Sequence, residues 1–368
     1  MSATVMPLVS GGVMQKIDQT TIRQIGVPGP VLMENAGRAA FRRVIALLRR
    51  QRETGQSGGH GGVVIVAGTG NNGGDGLVVA RHLLAEGIRV HVILSGSPER
   101  LSDDAALNYG ILRKTGFEPR IAKPGESLVH RLRQSDLIVD GVLGTGIKGA
   151  PRGEAAELIK QINDAGRPVL SLDIPSGVEA DTGQAAGLAV RAEETVTFGA
   201  LKIGLVLYPG ASHAGRVWVA RIGIPHCVLA EQGAGLSITT FEEAASLLPY
   251  RPPDAHKGTC GRTVILGGSP GLTGAPVMAG TAAQRAGCGL TTVGVPQSLV
   301  AVIAPRLMEV MYAGLEETED STLSPGSLDG AENLVRSADA VVAGCGASGT
   351  SGVKKLVLRL LAETEVPL

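Results

Sequence analysis

The amino-acid sequence predicts an α/β fold, and two strand–loop–helix units rich in glycine carry the prediction. The segment Val63–Ala67 is short, apolar and mostly β-branched, as is typical of a strand buried on both faces. It leads into a Gly-rich stretch, residues 68–76, and then into apolar residues at helical spacing over 77–87. A second unit of the same kind begins at Arg262. At 368 residues the chain is long enough for two domains.

The remaining elements follow in alternation, which predicts parallel sheets covered by helices. In the first region we expect helical structure over 14–52, with a helix that starts at Gly29-Pro30. We then expect helices at 103–115 and 154–165, and strands at 88–94, 137–140, 168–173, 195–198 and 217–222. In the second region we expect a helix at 240–248, strands at 262–266, 290–295 and 338–343, and a helix at 277–286.

The stretch 68–76 predicts a ligand-binding loop. Gly68, Gly70 and Gly73 have the G-x-G-x-x-G spacing of a Rossmann fingerprint, but Asn71, Asn72 and Asp75 lie among or beside them. No Gly-Lys-Ser/Thr follows, so the stretch is not a Walker loop either. A turn from a buried strand into a helix brings backbone N–H groups and the helix dipole to one point. A carboxylate at Asp75 would repel a bare phosphate, yet it could hold sugar hydroxyls or order the loop. The alternative is that Asp75 only caps the helix.

Polar residues also follow two later strands, at Asp140 and at Asp173 with Ser176. The carboxyl ends of parallel strands meet at one edge of a sheet, where open α/β sheets bind ligands. We therefore expect these residues and the 68–76 loop to converge. Asn72, Asp140 and Ser176 could also supply oxygen ligands of low total charge to an alkali or alkaline-earth cation.

Composition narrows the function classes. The formal net charge is zero, so nothing indicates nucleic-acid binding, and no apolar run is long enough to span a membrane. The four cysteines are scattered without metal-ligand spacing, and we expect reduced thiols, a cytoplasmic protein and no secretory signal. Small residues after Glu34 and Asn35 permit close packing against another element or another chain, and we expect a homo-oligomer.

The order of these motifs resembles the YjeF N-terminal family, the NAD(P)H-hydrate (NAD(P)HX) epimerases. The resemblance covers residues 13–224 and rests on segments 33–37, 70–76, 140–149 and 172–177. It implies a Rossmann-like, three-layer αβα domain, here assigned to residues 1–230, that interconverts the R and S hydrates of damaged NADH and NADPH.

The resemblance also implies site residues. It assigns substrate binding to Asn71, Asn72, Gly73, Gly74, Asp75, Gly144, Thr145, Gly146, Ile147, Lys148, Gly149, Ala150 and Asp173. It assigns a potassium ion to Asn72, Asp140 and Ser176, in agreement with the oxygen-ligand interpretation.

Residues 231–368 resemble the start of ADP-dependent NAD(P)H-hydrate dehydratase, a ribokinase-like α/β family. Segment 254–262 and the Gly-rich run 268–276 carry the resemblance, which implies ADP, Mg²⁺ and substrate contacts at Ala275 and Gly346. The family's later nucleotide-binding stretch and catalytic Asp have no counterpart here, and Cys345 stands where the family usually has Pro. We therefore expect an incomplete second domain, and dehydration of the S hydrate that is lost or incomplete in this chain.

Two function classes remain from the sequence: an epimerase of nicotinamide hydrates, and a non-catalytic nucleotide-binding or scaffold protein that keeps the fold. Asp173 at a strand end and Lys148 on the facing loop are the candidate proton-transfer groups. The alternative for Lys148 is a solvated loop cation.

Overall fold

The computed structural model describes residues 6–55, 62–233 and 235–368. Over these ranges the chain divides into two compact units, Met1–Leu248 and Pro249–Leu368. Within the same ranges, none of the helices combines the length and the apolar character needed to cross a bilayer.

The first unit is an alternating α/β unit. Its strands are β1 (Met6–Val9), β2 (Val63–Ala67), β3 (Val90–Leu94), β4 (Arg120–Ile121), β5 (Leu137–Gly141), β6 (Val169–Leu172), β7 (Glu194–Phe198), β8 (Leu201–Lys202), β9 (Arg216–Ala220) and β10 (Ser237–Ile238). Its helices are α1 (Gly11–Thr20), α2 (Gly29–Glu53), α3 (Asn71–Ala85), α4 (Asp103–Lys114), α5 (Val129–Arg133), α6 (Gly153–Asp164), α7 (Gly210–Ala214), α8 (His226–Gln232) and α9 (Phe241–Leu247).

Seven strands form one parallel sheet in the order β4-β3-β2-β5-β6-β7-β9. The chain moves outward from β2 through β3 to β4, and then returns to the other side of β2 with β5. The strand order therefore reverses between β2 and β5, which is the topological switch point at which such sheets bind ligands. This confirms the α/β fold class with a parallel sheet.

The two faces of this sheet pack against different helices. Val63 and Ile65 of β2 face a core shared with α2 and α3, whereas Val64 and Val66 face a core shared with α5 and α6. The side chains of a strand alternate between faces, so an unbroken apolar strand belongs between two helical layers. The result is the three-layer αβα arrangement that the resemblance implied.

The predicted helical stretch 14–52 contains two helices, and the second begins at Gly29, as the Gly29-Pro30 pair predicted. Helix α1 continues into a π-helical turn, Thr21–Ile25, which ends at Gly26 with φ of 88°. Pro28 then caps α2 in an extended conformation, and Pro30 lies in the first turn of that helix. A left-handed glycine ends one helix and an early proline begins the next.

A small second sheet ties the ends of the first unit together. Its order is β10-β1-β8, with β1 antiparallel to β10 and parallel to β8. These two- to four-residue strands carry too little periodicity to be predicted from sequence. Because β10 pairs with β1, the first compact unit extends to Leu248 rather than ending near the expected boundary at residue 230.

The second unit is built on a four-stranded parallel sheet in the order β13-β12-β11-β14. Its strands are β11 (Arg262–Gly267), β12 (Leu290–Pro296), β13 (Met311–Leu315) and β14 (Ala340–Cys345). Its helices are α10 (Gly274–Ala286), α11 (Val300–Ile303), α12 (Ser327–Arg336) and α13 (Ser351–Glu363). Helices α12 and α13 pack on one face of the sheet, and α10 and α11 on the other. The sequence predicted β11, α10, β12 and β14, but not β13 or α12.

Small residues let α2 approach α3 closely. A Cβ atom on Gly37 would overlap the side chain of Val78 and lie 3.0 Å from the carbonyl oxygen of Asp75. Glu34 of the same helix forms an ion pair with Arg81 and a 2.8 Å hydrogen bond with His82 Nε2 of α3. The small-residue motif after Asn35 therefore serves a contact within the chain and holds α3 where its N-terminus meets the switch point.

We expect Gly37→Ala to lower the free energy of unfolding by about 1–3 kcal/mol, because a methyl group forces apart helices that are already in contact. Gly110→Ala in α4 is the matched control, since nothing lies within 4 Å of its would-be Cβ. That change should raise stability by about 0.5–1 kcal/mol through helix propensity. Urea unfolding of both variants measures the difference, and equal effects would contradict the close-packing explanation.

Candidate active site

The loop between β2 and α3 lies against the end of β5 because two glycines allow it. A Cβ atom on Gly68 would overlap the carbonyl oxygen of Val142, and one on Gly73 would overlap the carbonyl oxygen of Gly68. Gly68 N–H donates to the carbonyl of Gly141 at 2.8 Å. The loop is thus folded tightly against β5, with the N-terminus of α3 at the switch point.

A cavity of about 1340 Å³ opens at this edge of the sheet. Of the residues predicted to bind substrate, ten line it: Asn71, Asn72, Gly73, Asp75, Gly144, Thr145, Gly146, Ile147, Lys148 and Asp173. The cavity therefore brings together residues from three separate segments of the sequence. It is also lined by α1 and the start of α2, which the sequence did not associate with the site.

Three predicted residues have other contacts. Gly74 packs on Met33, whose Cε would lie 2.6 Å from a Cβ at that position. Gly149 N–H donates to Glu179 Oε1 at 2.6 Å. Ala150 packs beside Gly187. None of these three is among the residues that line the cavity in the described part of the chain.

Asp173 lies directly after β6 in a left-handed conformation, with φ of 61°. Its Oδ1 accepts hydrogen bonds from the backbone N–H of Phe198 at 3.0 Å and from the Thr197 hydroxyl at 3.2 Å. The same oxygen forms an ion pair with Lys202 Nζ. Within the described ranges Oδ2 has no hydrogen-bond partner, so one carboxylate oxygen is held by the protein while the other is left for a ligand.

Lys202 is the cation of the site, and sequence reasoning missed it. Its side chain is fully buried, and Nζ also donates to the carbonyl of Phe198 at 2.7 Å. Lys148, the lysine proposed from sequence, is exposed on the 144–150 loop and contacts no part of Asp173. The only signal for Lys202 was a lysine in an otherwise apolar segment, 200–206.

Asp75 does not cap α3, which removes the simpler sequence alternative. The helix begins at Asn71 with Gly70 as its cap, and no side chain bonds to the cap position. The Asp75 carboxyl is 8% exposed at the wall of the cavity. Burial raises its pKa well above the usual range, and the nearby charges of Asp173 and Asp18 act in the same direction.

Asp18 is the second titratable residue that sequence reasoning missed. It lies on the face of α1 that lines the cavity. Burial raises its pKa to about 6 and Asp173 contributes in the same sense, while Lys202 opposes them. The signal in the sequence was a carboxylate between Met14, Ile17 and Thr21, on the buried side of an amphipathic helix.

Asp140 and Ser176 form a buried cluster beneath the cavity. Asp140 Oδ1 accepts from Ser176 Oγ at 2.6 Å, and Oδ2 accepts from Ser176 N–H at 2.9 Å and from Ser171 Oγ at 2.8 Å. Burial raises the pKa of Asp140, and these hydrogen bonds oppose the rise. Neither residue is exposed. Among the described residues, no cationic side chain bonds to this carboxylate.

Asn72 brings an unsatisfied oxygen to the same cluster. Its Nδ2 donates to the carbonyl of Leu143 at 2.8 Å, and that carbonyl also accepts from Ser176 Oγ at 3.2 Å. Asn72 Oδ1 is buried and has no hydrogen-bond partner. A buried acceptor without a donor costs free energy. An amide oxygen, a carboxylate and a hydroxyl close together form a donor set that suits a hard, weakly charged cation.

Ala275 and Gly346, the residues of the second unit that the resemblance assigns to substrate binding, also lie together. Gly346 has φ of 70°, and a Cβ there would lie 3.1 Å from Cβ of Ala275 and close to the carbonyl of Leu272. Ser269 Oγ donates to the carbonyl of Gly346 at 2.8 Å. The 268–276 loop and the loop after β14 are thereby joined at the carboxyl ends of neighbouring strands, β11 and β14.

A parallel sheet with a Gly-rich loop and a helix N-terminus at its switch point defines a Rossmann-like class of α/β protein. Comparison with known families agrees. The family described as YjeF-related protein N-terminus matches residues 29–204, and the family described as NAD(P)H-hydrate dehydratase matches residues 263–368.

Relatives identify the family more closely. The bifunctional NAD(P)H-hydrate repair enzyme Nnr of Moorella thermoacetica is 42% identical over 366 residues, which are 98% of this chain and 68% of that enzyme. The enzyme of the same name from Salinibacter ruber is 37% identical over 98% of this chain and 68% of its own length. The chain belongs to the family of bifunctional NAD(P)H-hydrate repair enzymes.

A solved structure shares the fold. The match to the crystal structure of yeast ynu0 (YNL200c) covers 64% of this chain and 98% of the yeast chain, with a TM-score of 0.53 and 24% identity. This likeness agrees with the α/β fold described above.

The burial of Asp18 predicts a stability that depends on pH. The folded state holds this proton more tightly than the unfolded state, in which the pKa is near 3.8. Asp18 therefore contributes stability below about pH 4 that is lost as the pH rises through about 6. Asp18→Asn removes that loss, so we expect the variant to exceed the wild type by on the order of 2–3 kcal/mol at pH 8.

Urea unfolding at pH 4 and pH 8 measures this difference. The matched control is Asp103→Asn, which neutralises an exposed aspartate of α4. A stability gain for Asp18→Asn that is equal at both pH values, or a gain of the same size in the control, would contradict the assigned burial effect.

Proposed function

We propose that the first unit interconverts the R and S hydrates of NADH and NADPH. The observation that carries this proposal is the Asp173 carboxylate, held on one oxygen by buried Lys202 and open on the other, in the cavity at the sheet's switch point. Family membership supplies the substrate class, since the relatives are named NAD(P)H-hydrate repair enzymes.

The substrate is a dinucleotide with a pyrophosphate, and the cavity offers groups for both parts. Free N–H groups at the N-terminus of α3 and the positive end of its dipole suit a phosphate oxygen. Arg100, Lys148 and Arg152 line the same cavity and add positive charge. For Lys148, binding of the pyrophosphate is therefore a simpler role than proton transfer. The cavity volume of about 1340 Å³ is large enough for a ligand of this size.

Epimerisation inverts C6 of the hydrated ring, which carries a hydroxyl group and is bonded to the ring nitrogen. Inversion requires C6 to become trigonal, either by reversible loss of water or by reversible ring opening. In both routes a base must take a proton from an O–H group. Asp173 Oδ2 is the candidate base, because it is the oxygen that the protein leaves unbonded.

A potassium ion fits the residues beneath the cavity. Asn72, Asp140 and Ser176 would hold it, and the unpartnered Oδ1 of Asn72 is the observation that supports the fit. The part of the chain that the structure describes has no group of three or more His, Cys, Asp or Glu residues able to hold a metal ion, so this site would depend on neutral oxygens around one carboxylate. Bound there, the cation would supply charge compensation for Asp140 and rigidity to the loops around it.

The second unit belongs to the same repair function. Its family is the NAD(P)H-hydrate dehydratases, and Ala275 and Gly346 would contact the S hydrate, with ADP and Mg²⁺ as the expected co-substrate and metal. An epimerase and a dehydratase in one chain would act in sequence, because a stereospecific dehydratase leaves the other epimer unrepaired. The cytoplasmic location and the homo-oligomeric state stay predictions.

Asp173→Asn tests the proposed base. Asparagine tolerates the left-handed conformation and keeps an acceptor for Phe198 N–H and for Lys202 Nζ. We therefore expect a folded protein, with a lower free energy of unfolding because buried Lys202 loses its counter-charge. The R-to-S rate should fall by about 10²–10⁴-fold, because an amide cannot accept the proton. Chromatographic separation of the two hydrates, with the uncatalysed rate subtracted, measures the change.

Asp103→Asn is the control for the loss of one negative charge and should keep the wild-type rate. Equal rates for Asp173→Asn and the wild type would end the assignment of Asp173 as the base. A wild-type rate no greater than the uncatalysed rate would instead favour the non-catalytic, scaffold function.

Potassium binding predicts a stabilisation that depends on the cation. A ligand that binds only the native state raises the melting midpoint with its concentration, so K⁺ should raise it more than Li⁺ at equal ionic strength. Asn72→Ala should abolish the difference, because it removes the unpartnered oxygen. Asn71→Ala is the matched control, since Asn71 Oδ1 already accepts from Ser102 Oγ at 2.6 Å. Identical melting curves of the wild type in both salts would count against the site.

A further inference from the structure

We propose that Asp18 of α1, which lines the same cavity as Asp173, is the second proton-transfer residue of the epimerase. The inference rests on the proposed epimerase function and adds a catalytic residue to it. It also gives the N-terminal helix a part in the chemistry, although this helix precedes the 29–204 match to the N-terminal family.

The fold positions Asp18 through a short strand pairing. In the register of β1 with β8, Val9 lies beside Lys202. Ser10 then caps α1 by accepting from Val13 N–H at 3.1 Å, and Gly11 N–H donates to Asp181 Oδ1 at 2.6 Å. With its start held at both points, the helix has little freedom to turn about its axis.

One face of α1 lines the cavity. Gly11, Met14, Gln15 and Asp18 all contribute to the wall, and this spacing of three or four residues is that of neighbours on a helix surface. Met14 and Ile17 bury the adjoining face in a core with Val9 and Ala200. Asp18 is therefore presented to the cavity by a helix that is packed on its other side.

The charges around the cavity are unequal in number. Three carboxyl groups interact there, from Asp18 on α1, Asp75 on α3 and Asp173 after β6, and the buried cation that acts on them is Lys202 on β8. Other charged residues also line the cavity: Arg100, Lys148, Arg152, Glu154, Glu179 and Asp181. Asp104 of α4 adds a further, weaker negative charge toward Asp75. Lys202 Nζ is committed to Asp173 Oδ1 and to the carbonyl of Phe198. Asp18 and Asp75 thus share a low-dielectric space without an ion-pair partner in the described residues.

Burial, against the opposing charge of Lys202, makes Asp18 an acid near neutral pH. Burial raises its pKa to about 6. A proton-transfer group works best when its pKa lies near the working pH. Asp75 is less suitable, because its deeper burial raises its pKa well above that range. The different burial of Asp18 and Asp75 separates their pKa values. Asp18 therefore takes the role of the acid, while Asp173, paired with Lys202, takes the role of the base.

The step is balanced as follows. Protonated Asp18 donates its proton to the C6 hydroxyl, the C6–O bond breaks with its electron pair, and water leaves. The ring-nitrogen lone pair forms the N1=C6 double bond of a cationic intermediate. A water molecule then attacks the other face of C6, Asp173 Oδ2 accepts its proton, and the double-bond pair returns to N1. Proton exchange with solvent restores both carboxyl groups, and the reverse epimerisation exchanges their roles.

The experiment compares Asp18→Asn, Asp18→Glu, Asp103→Asn and the wild type in the R-to-S assay from pH 5 to pH 8, with the uncatalysed rate subtracted at each pH. We expect the wild-type rate to fall as the pH rises through about 6, because the acid form is lost. Asp18→Asn should be about 10²-fold slower at pH 5 and should lack this limb of the profile. Asp18→Glu should recover a large part of the rate, and Asp103→Asn should match the wild type.

Each other outcome is decisive. A folded Asp18→Asn protein with the wild-type rate, alongside an inactive Asp173→Asn, would overturn the role of Asp18 and leave the proposed function standing. A slow Asp18→Asn protein that keeps the limb near pH 6, or a slow Asp18→Glu protein, would show that Asp18 acts through structure alone and would overturn the inference. A wild-type rate equal to the uncatalysed rate would overturn the proposed function and this inference together.

Discussion

The buried ion pair between Lys202 and Asp173 constrains the first unit more than any other contact at the site. A fully buried ammonium is stable only with a counter-charge and with acceptors for its other protons, and Asp173 and the Phe198 carbonyl provide them. This requirement holds β8, the end of β7 and the turn after β6 together. Removing one partner would leave the other charge buried and unpaired, at a cost of about 3–5 kcal/mol.

The same pair organises the proposed chemistry. Because Lys202 and Phe198 N–H both engage Oδ1, they orient the Asp173 carboxylate and leave Oδ2 toward the cavity. The parallel pairing of β1 with β8 then places α1 and its Asp18 beside that pair. A single pairing of two short strands therefore sets the relative positions of the base, its counter-ion and the proposed acid.

Charge and close packing act in opposite directions on stability. The glycines at 37, 68 and 73 allow contacts that no side chain could share, and these contacts hold α3 and its loop rigidly. The carboxyl groups of Asp18, Asp75 and Asp140 are buried against the preference of their charged forms for water. A site of this kind costs stability, and the tightly packed αβα framework around it offsets that cost.

The sequence by itself determined the α/β class, most strands of the seven-stranded sheet and the convergence of Asn72, Asp140, Asp173 and Ser176. These follow from local patterns, since unbroken apolar strands and polar strand ends dictate where a parallel sheet binds ligands. Only the tertiary structure revealed Lys202, Asp18 and the pairing of β1 with β8 and β10. Lys202 bonds to a residue 29 positions away, and β1 pairs with strands that follow it by more than 190 positions. Local sequence patterns do not show such contacts, and strands of two to four residues carry too little periodicity to be predicted.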